Sequence, residues 1–335
     1  MGGVELMTPK DKRPRKRVRG WGGVAGMAVA VAATAALLPA ALHQAPDEGK
    51  RRAPQTTHAA PAAATEECKD GQAAEASLKP DGGAKGDAVR RIQDRGQLIA
   101  GVDQNSYRWG YRATDGGLQG FDIDLARAIA KQILGDETKV VFRAIPTNQR
   151  IPALQQEKVD IVVRTMTINC DRLEDVDFSS EYFRGGQQVM APKGSGIKGM
   201  DDLDGKTVCT AAGSTGEEAL NKEVKGAKVL TVDNQLDCLV RVQVGEADAV
   251  VTDNALAAGQ AAQDPSMSLE GDRFTDEPYG VAVKKGSDDL VKRINKVLAD
   301  YRKGGDNSDW MKAYRKWLAA DLPGIKAPPE PKYRD

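Results

Sequence analysis

The chain has 335 residues, and its 48 basic and 48 acidic side chains cancel to a formal net charge of zero. That balance lacks the basic footprint of a nucleic-acid binder. Its two histidines, His43 and His58, both sit in low-complexity sequence, which comes close to excluding a His base, a His-rich metal site or a Ser-His-Asp triad. No metal, cofactor or nucleic acid is expected. An apolar content of 40% and a charged content of 29% describe a globular body, long enough for two ordinary domains or one bilobal domain with extensions.

Residues 1–20 carry seven basic side chains (Lys10, Lys12, Arg13, Arg15, Lys16, Arg17, Arg19) against Glu5 and Asp11. Residues 21–42 carry no charge and are rich in Ala, Val, Gly and Leu. A basic block before an apolar run of bilayer-spanning length reads as a signal anchor or a signal peptide. The basic end stays in the cytoplasm and everything after Leu42 lies outside, anchored by 21–42 or secreted if that run is cleaved. Residues 43–87, rich in Ala, Pro, Gly and charge, read as a disordered tether. The last stretch, 323–335, reads as a Pro-rich extended tail.

From Ala88 onward strands and helices alternate. Leu98 to Val102 is a short apolar run suited to a buried strand. Phe121 to Leu134 has helical spacing, with Gly135 as its stop. Val140 to Phe142 is a second strand, Thr147 to Leu154 a short helix, and Asp160 to Val163 a third strand. Thr207 to Cys209, Val229 to Val232 and Ala249 to Val251 repeat the theme, with a helix ending at Gly245 between the last two. Leu290 to Tyr301 and Trp310 to Leu318 are helical, their aromatic residues at core spacing. The class is therefore α/β, with mixed, mostly parallel sheets flanked by helices in two successive units.

In such sheets ligands gather at the carboxyl ends of strands. After the strand at 160–163 come Arg164, Thr165, Thr167 and Arg172, and an arginine fork suits a carboxylate. After 207–209 come Gly213, Ser214 and Thr215, which open backbone N–H groups toward an anion. After 249–251 comes Asp253, placed for an ammonium group. Together they outline a zwitterion receptor.

In sequence order these stretches resemble a known family. Gly120-Phe121-Asp122-Ile123-Asp124-Leu125, Arg150-Ile151-Pro152-Ala153-Leu154-Gln155 and Val159-Asp160-Ile161 through Ile168 carry the resemblance. So do Asp171-Arg172, Val176-Asp177-Phe178-Ser179, Asp202 through Val208, Gly213-Ser214-Thr215 and Ala247 through Asp253. Residues 88–322 resemble the family 3 extracellular solute-binding proteins of amino-acid ABC importers, with local likeness to glutamate/glutamine-binding members from high-GC Gram-positive bacteria. That resemblance implies a two-lobed periplasmic-binding-protein-like fold of type II with the ligand in the interlobe cleft. Lobe 1 would comprise 88–185 and 282–322, and lobe 2 186–281, with crossings near Gln187 to Val189 and Tyr279 to Val281. It implies a monomer that binds an amino acid and meets ABC permease subunits at the membrane.

By family role, Arg172 and Thr167 grip the α-carboxylate, with help from Ser214 and Thr215. Asp253 and the Thr165 carbonyl receive the α-amino group, and Tyr107, Trp109 and Tyr111 wall the pocket. Arg150 resembles the arginine that approaches a side-chain carboxylate in glutamate/aspartate-binding members, and Arg164 offers a second cation. Glutamate or aspartate is thus the expected ligand. Asp103, if it reaches the pocket, adds asparagine and glutamine as secondary ligands. Otherwise Asp103 simply pairs with Arg150 or Arg164. The chain is expected not to be an enzyme. The alternative is a membrane-tethered amino-acid sensor that signals through a partner. Four cysteines allow three full pairings; Cys209 and Cys238, which fall in one lobe, are the expected disulfide.

Overall fold

The computed structural model describes residues 66–69 and 71–334. Leu98–Val102 lies between two parallel neighbours, Val140–Ala144 and Ile161–Thr167. This β-α-β order needs long crossovers, which the helices Phe121–Leu134 and Arg150–Gln155 provide. Glu277–Lys284 returns from far along the chain and adds antiparallel to Ile161–Thr167. It also pairs with Val176–Phe178 and Phe183–Gly185, completing a six-stranded sheet.

The second sheet repeats the arrangement. Thr207–Ala211 is flanked in parallel by Lys228–Val232 and Ala249–Asp253, and Gln187–Pro192 and Met267–Glu270 add antiparallel. Central strands buried on both faces read as apolar runs, as residues 249–251 of the strand Ala249–Asp253 do. Two sheets with flanking helices make the two lobes, and the chain passes between them twice. The first passage follows Gly185, where the chain leaves one sheet and enters the other at Gln187.

The second passage lies earlier than the sequence suggested. Glu277 to Val281 belong to a strand of the first sheet, so the crossing precedes Glu277. Each residue from Glu277 to Val283 is buried, which is what holds this return strand inside lobe 1. Beneath it Trp109, Phe121, Phe183, Tyr279 and Trp310 form one aromatic cluster with ring centroids 4.8–6.2 Å apart. Such rings dominate core energetics through area and edge-to-face contacts. The C-terminal aromatic residues are core, as their spacing indicated: Trp310, Tyr314 and Trp317 are all buried.

The tether expectation is corrected over residues 66–86. Cys68 is disulfide-bonded to Cys170 across 102 residues. Ser77 donates its hydroxyl to Phe178 O at 2.8 Å and forms a bridge with Tyr333. Ala74 and Glu75 are buried. The composition is poor in large apolar residues, but covalent and hydrogen-bonded anchoring substitutes for apolar burial here. Nor does the tail end loose, since Pro329 O accepts from Arg302 at 3.1 Å and Arg334 N–H donates to Ser77 O. The basic head, the apolar run 21–42 and the rest of the tether lie outside the described residues. Among the described residues no helix is long and apolar enough to cross a membrane.

Cys209 and Cys238 are joined, as expected, with a sequence separation of 29. No free cysteine remains among the described residues.

Candidate ligand site

The strand Ile161–Thr167 ends where the two lobes face each other, and a short helix follows at Cys170–Asp175. Asn169 caps that helix, its Oδ1 accepting Arg172 N–H at 2.9 Å. The cap fixes the base of the Arg172 side chain. Its guanidinium then turns back, Nη1 donating to Thr167 O at 2.9 Å and Nη2 to Gly213 O of lobe 2 at 3.4 Å. Arg150, at the start of its own helix, donates through Nε to Thr147 O at 2.9 Å. Its Nη1 reaches Arg164 O at 3.4 Å and its Nη2 reaches the same Gly213 O at 3.3 Å.

Both arginines are more than nine-tenths buried, and their acceptors are neutral carbonyls. Among the described residues neither has a carboxylate at ion-pair distance. Burial holds the proton affinity of each below the ordinary arginine value, and for Arg150 the neighbouring Arg172 and Arg164 push it lower still. Asp253, Glu277 and Glu218 offset these charges only from beyond ion-pair distance, and two buried guanidinium groups without a direct counter-ion are costly unless an anion joins them.

Arg164 differs. Its Nη2 sits 3.1 Å from Asp103 Oδ2, its Nη1 donates to Thr147 Oγ1 at 2.9 Å, and its Nη2 also reaches Asn234 Oδ1 of lobe 2 at 3.0 Å. The expectation of Arg164 as a free second cation is therefore corrected. Asp103 neutralises it while accepting from the N–H groups of Gln104 and Asn105 and from the Ser106 hydroxyl. The Arg164–Asp103 pair braces the cleft rather than offering charge to it.

Other expected site residues take structural positions. Trp109 is 1% exposed, packs in the lobe 1 aromatic cluster and donates Nε1–H to Ala255 O at 3.1 Å. It ties lobe 1 to lobe 2 from the core and does not form a cleft wall; the indole is too large and too well surrounded to do both. Ser214 is the N-cap of Thr215–Glu223, its Oγ accepting Glu217 N–H at 3.2 Å. Thr165 has a left-handed φ of +40°, a conformation strained for a branched residue. Its N–H is held by Asp122 Oδ2 and Tyr182 OH, both at 3.1 Å. Burial raises Asp122 to about 7.

Asp253 ends the strand Ala249–Asp253 and accepts from Gln187 Nε2 at 3.0 Å. Burial and the nearby Glu277 raise its carboxyl to about 8, against the opposing pull of Arg150 and Arg172. Sequence reasoning missed Glu277. It is buried at the head of the return strand, and one oxygen, Oε2, accepts both Thr167 Oγ1 at 2.5 Å and Thr215 Oγ1 at 2.9 Å. The available signal was a carboxylate opening the strand that begins Glu277-Pro278-Tyr279.

The lobes touch across this site. Thr147 N–H donates to Asp233 O at 3.1 Å, and Gly213 lies against Asn148 so closely that a Cβ would meet its Cα at 3.1 Å. Gly213 also has φ +71°, so glycine is needed on two counts. The site thus has a cationic end (Arg150, Arg172) and an anionic end (Asp253, Glu277), built from both lobes. Its charges are complementary to those of a small zwitterion.

Comparison with known proteins shows the family. Residues 98–320 match the family model of bacterial extracellular solute-binding proteins, family 3. The chain is 38% identical over 240 residues to the ABC transporter glutamine-binding protein of Bacillus subtilis, covering 71% of this chain and 87% of that one. Among solved structures it is similar to an ancestral arginine-binding protein bound to glutamine, at 41% identity and a TM-score of 0.63, covering 67% of this chain and 98% of the other. It is also similar to the solute receptor for L-cysteine of Neisseria gonorrhoeae, at 29% identity and a TM-score of 0.66, covering 69% and 94%. All three are described as binding proteins or solute receptors, and the family is one of solute-binding proteins.

Proposed function

Because the chain belongs to the bacterial extracellular solute-binding proteins of family 3, we propose that it captures an acidic amino acid, glutamate or aspartate, outside the cell and delivers it to an ABC importer. One observation carries the choice of ligand. Arg150 and Arg172 are both buried and both lean on the single carbonyl of Gly213. One of these guanidinium groups suffices for the α-carboxylate that every amino acid carries. The second then calls for a second anion, and a site of this kind rejects apolar side chains by desolvation. Asp253 serves the ammonium group.

Glutamine is the second reading. It is favoured by the ligand for which the Bacillus subtilis relative is named and by the ligand bound to the ancestral protein. In that case Arg150 would meet the side-chain amide oxygen. The basic head and apolar run of the sequence support a location of the lobes on the outer face of the membrane, anchored or released. Tryptophan fluorescence of the purified chain, titrated with glutamate, tests the proposal. Saturation with Kd near or below about 10 μM supports it, and no response up to about 1 mM opposes it.

A further inference from the structure

Thr167 and Thr215 sit on opposite lobes, and both were expected to donate to the ligand's carboxylate. A hydroxyl has one proton to give and two lone pairs to offer. In this site both protons go to Glu277 Oε2, at 2.5 and 2.9 Å. Thr275 Oγ1 gives its proton to the other oxygen, Oε1, at 2.8 Å. Gln187 Nε2 completes the chain, donating to Thr215 Oγ1 at 3.1 Å and to Asp253 Oδ1 at 3.0 Å.

We propose that Glu277 is a positioning residue that sets the polarity of the ligand site. By taking both hydroxyl protons it leaves Thr167 and Thr215 facing the ligand as acceptors, one from each lobe. The two threonines and Asp253 then form a cradle for an ammonium group, while carboxylates are left to Arg150 and Arg172. The same oxygen links the lobes, so the cradle is complete only when the cleft is shut. Charged and titratable groups around Glu277 are Asp253, Glu218, Arg172 and Tyr279. Of these, Asp253 and Glu218 are like charges that a neutral side chain at 277 would relieve. A glutamine there could instead donate its amide to a threonine oxygen and turn that hydroxyl into a donor.

This inference rests on the amino-acid reading, and its test separates the two. The full chain and its Glu277→Gln variant are titrated with glutamate and with glutarate, which has the same two carboxylates and no ammonium group. The variant should lose about 10-fold or more of glutamate affinity, while glutarate binding stays within about threefold or improves. Thr215→Val removes one acceptor and should shift the glutamate-to-glutarate ratio in the same direction by a smaller factor. Equal loss for both ligands, or no loss for either, would overturn the inference. If the wild type binds neither compound measurably, the acidic amino-acid reading fails on its own. The side-chain carboxyl titration of Asp253, followed by carbon NMR, then decides the remaining question. Glu277→Gln should move it to lower pH, and an unmoved titration rejects the polarity role.

Discussion

Arg150 and Arg172 share one acceptor, the carbonyl oxygen of Gly213, at 3.3 and 3.4 Å. They come from different helices of lobe 1 and converge on a loop of lobe 2. A backbone carbonyl carries only a partial charge, so it cannot offset two buried cations. On the proposed function, a ligand carboxylate joins them and relieves that imbalance.

Removing either cation should therefore cost binding, but not in the same way. If Arg172 holds the α-carboxylate, as proposed, Arg172→Ala should cost about 2–5 kcal/mol for every ligand. Arg150→Met should cost as much for glutamate and aspartate and much less for glutamine. Calorimetry on the two variants with the same three ligands separates the roles. Identical ligand profiles would mean that Arg150 does not read the side chain.

Binding should also be coupled to protons. The Asp253 carboxyl is raised from 3.8 to about 8, first by burial and then by Glu277. An incoming ammonium group replaces its proton, so binding should tighten between pH 6 and pH 8 and release up to one proton per ligand. Calorimetry in two buffers of different ionisation enthalpy measures that number. A value of zero at pH 7 would show that Asp253 does not meet the ammonium group.

The ligand-free protein should respond to pH in the opposite sense. A raised carboxyl binds its proton more tightly in the folded than in the unfolded chain. Its contribution is therefore complete below about pH 4 and is lost as pH rises through about 8. Asp122, raised to about 7, acts in the same direction. The melting temperature should fall from pH 5 to pH 8, and Asp253→Asn should recover about 5 °C or more at pH 8.

The two disulfides should differ in worth. Cys68–Cys170 spans 102 residues and Cys209–Cys238 spans 29. By loop closure these are worth about 4.7 and about 3.5 kcal/mol. Replacing Cys68 and Cys170 by serine should therefore lower stability more, and should expose residues 66–86 to protease. It should also weaken ligand binding, since Cys170 opens the helix that carries Arg172.

Much of the fold was legible because its strands are short apolar runs and its helices carry clear stops such as Gly135. The placement of Asp253 at a strand end, and of Arg150 and Arg172 on short helices near the lobe junction, was legible because local sequence sets it. It was not legible where long-range pairing decides. Arg164 looked like a free cation until Asp103, 61 positions earlier, was found 3.1 Å away. Glu277 lies 110 residues from Thr167, and no local pattern connects them. The segment 66–86 has the composition of a tether, and only its bond to Cys170 and its contacts with residues 178 and 333 order it.

The most direct measurement is a side-by-side calorimetric titration of the full chain with glutamate, aspartate, glutamine, asparagine, arginine and leucine at pH 7.5. The expected order has glutamate or aspartate tightest, glutamine and asparagine about 10-fold weaker or more, and arginine and leucine without measurable binding. Tighter binding of arginine or leucine than of both acids would contradict an acid-selective site built on Arg150 and Arg172.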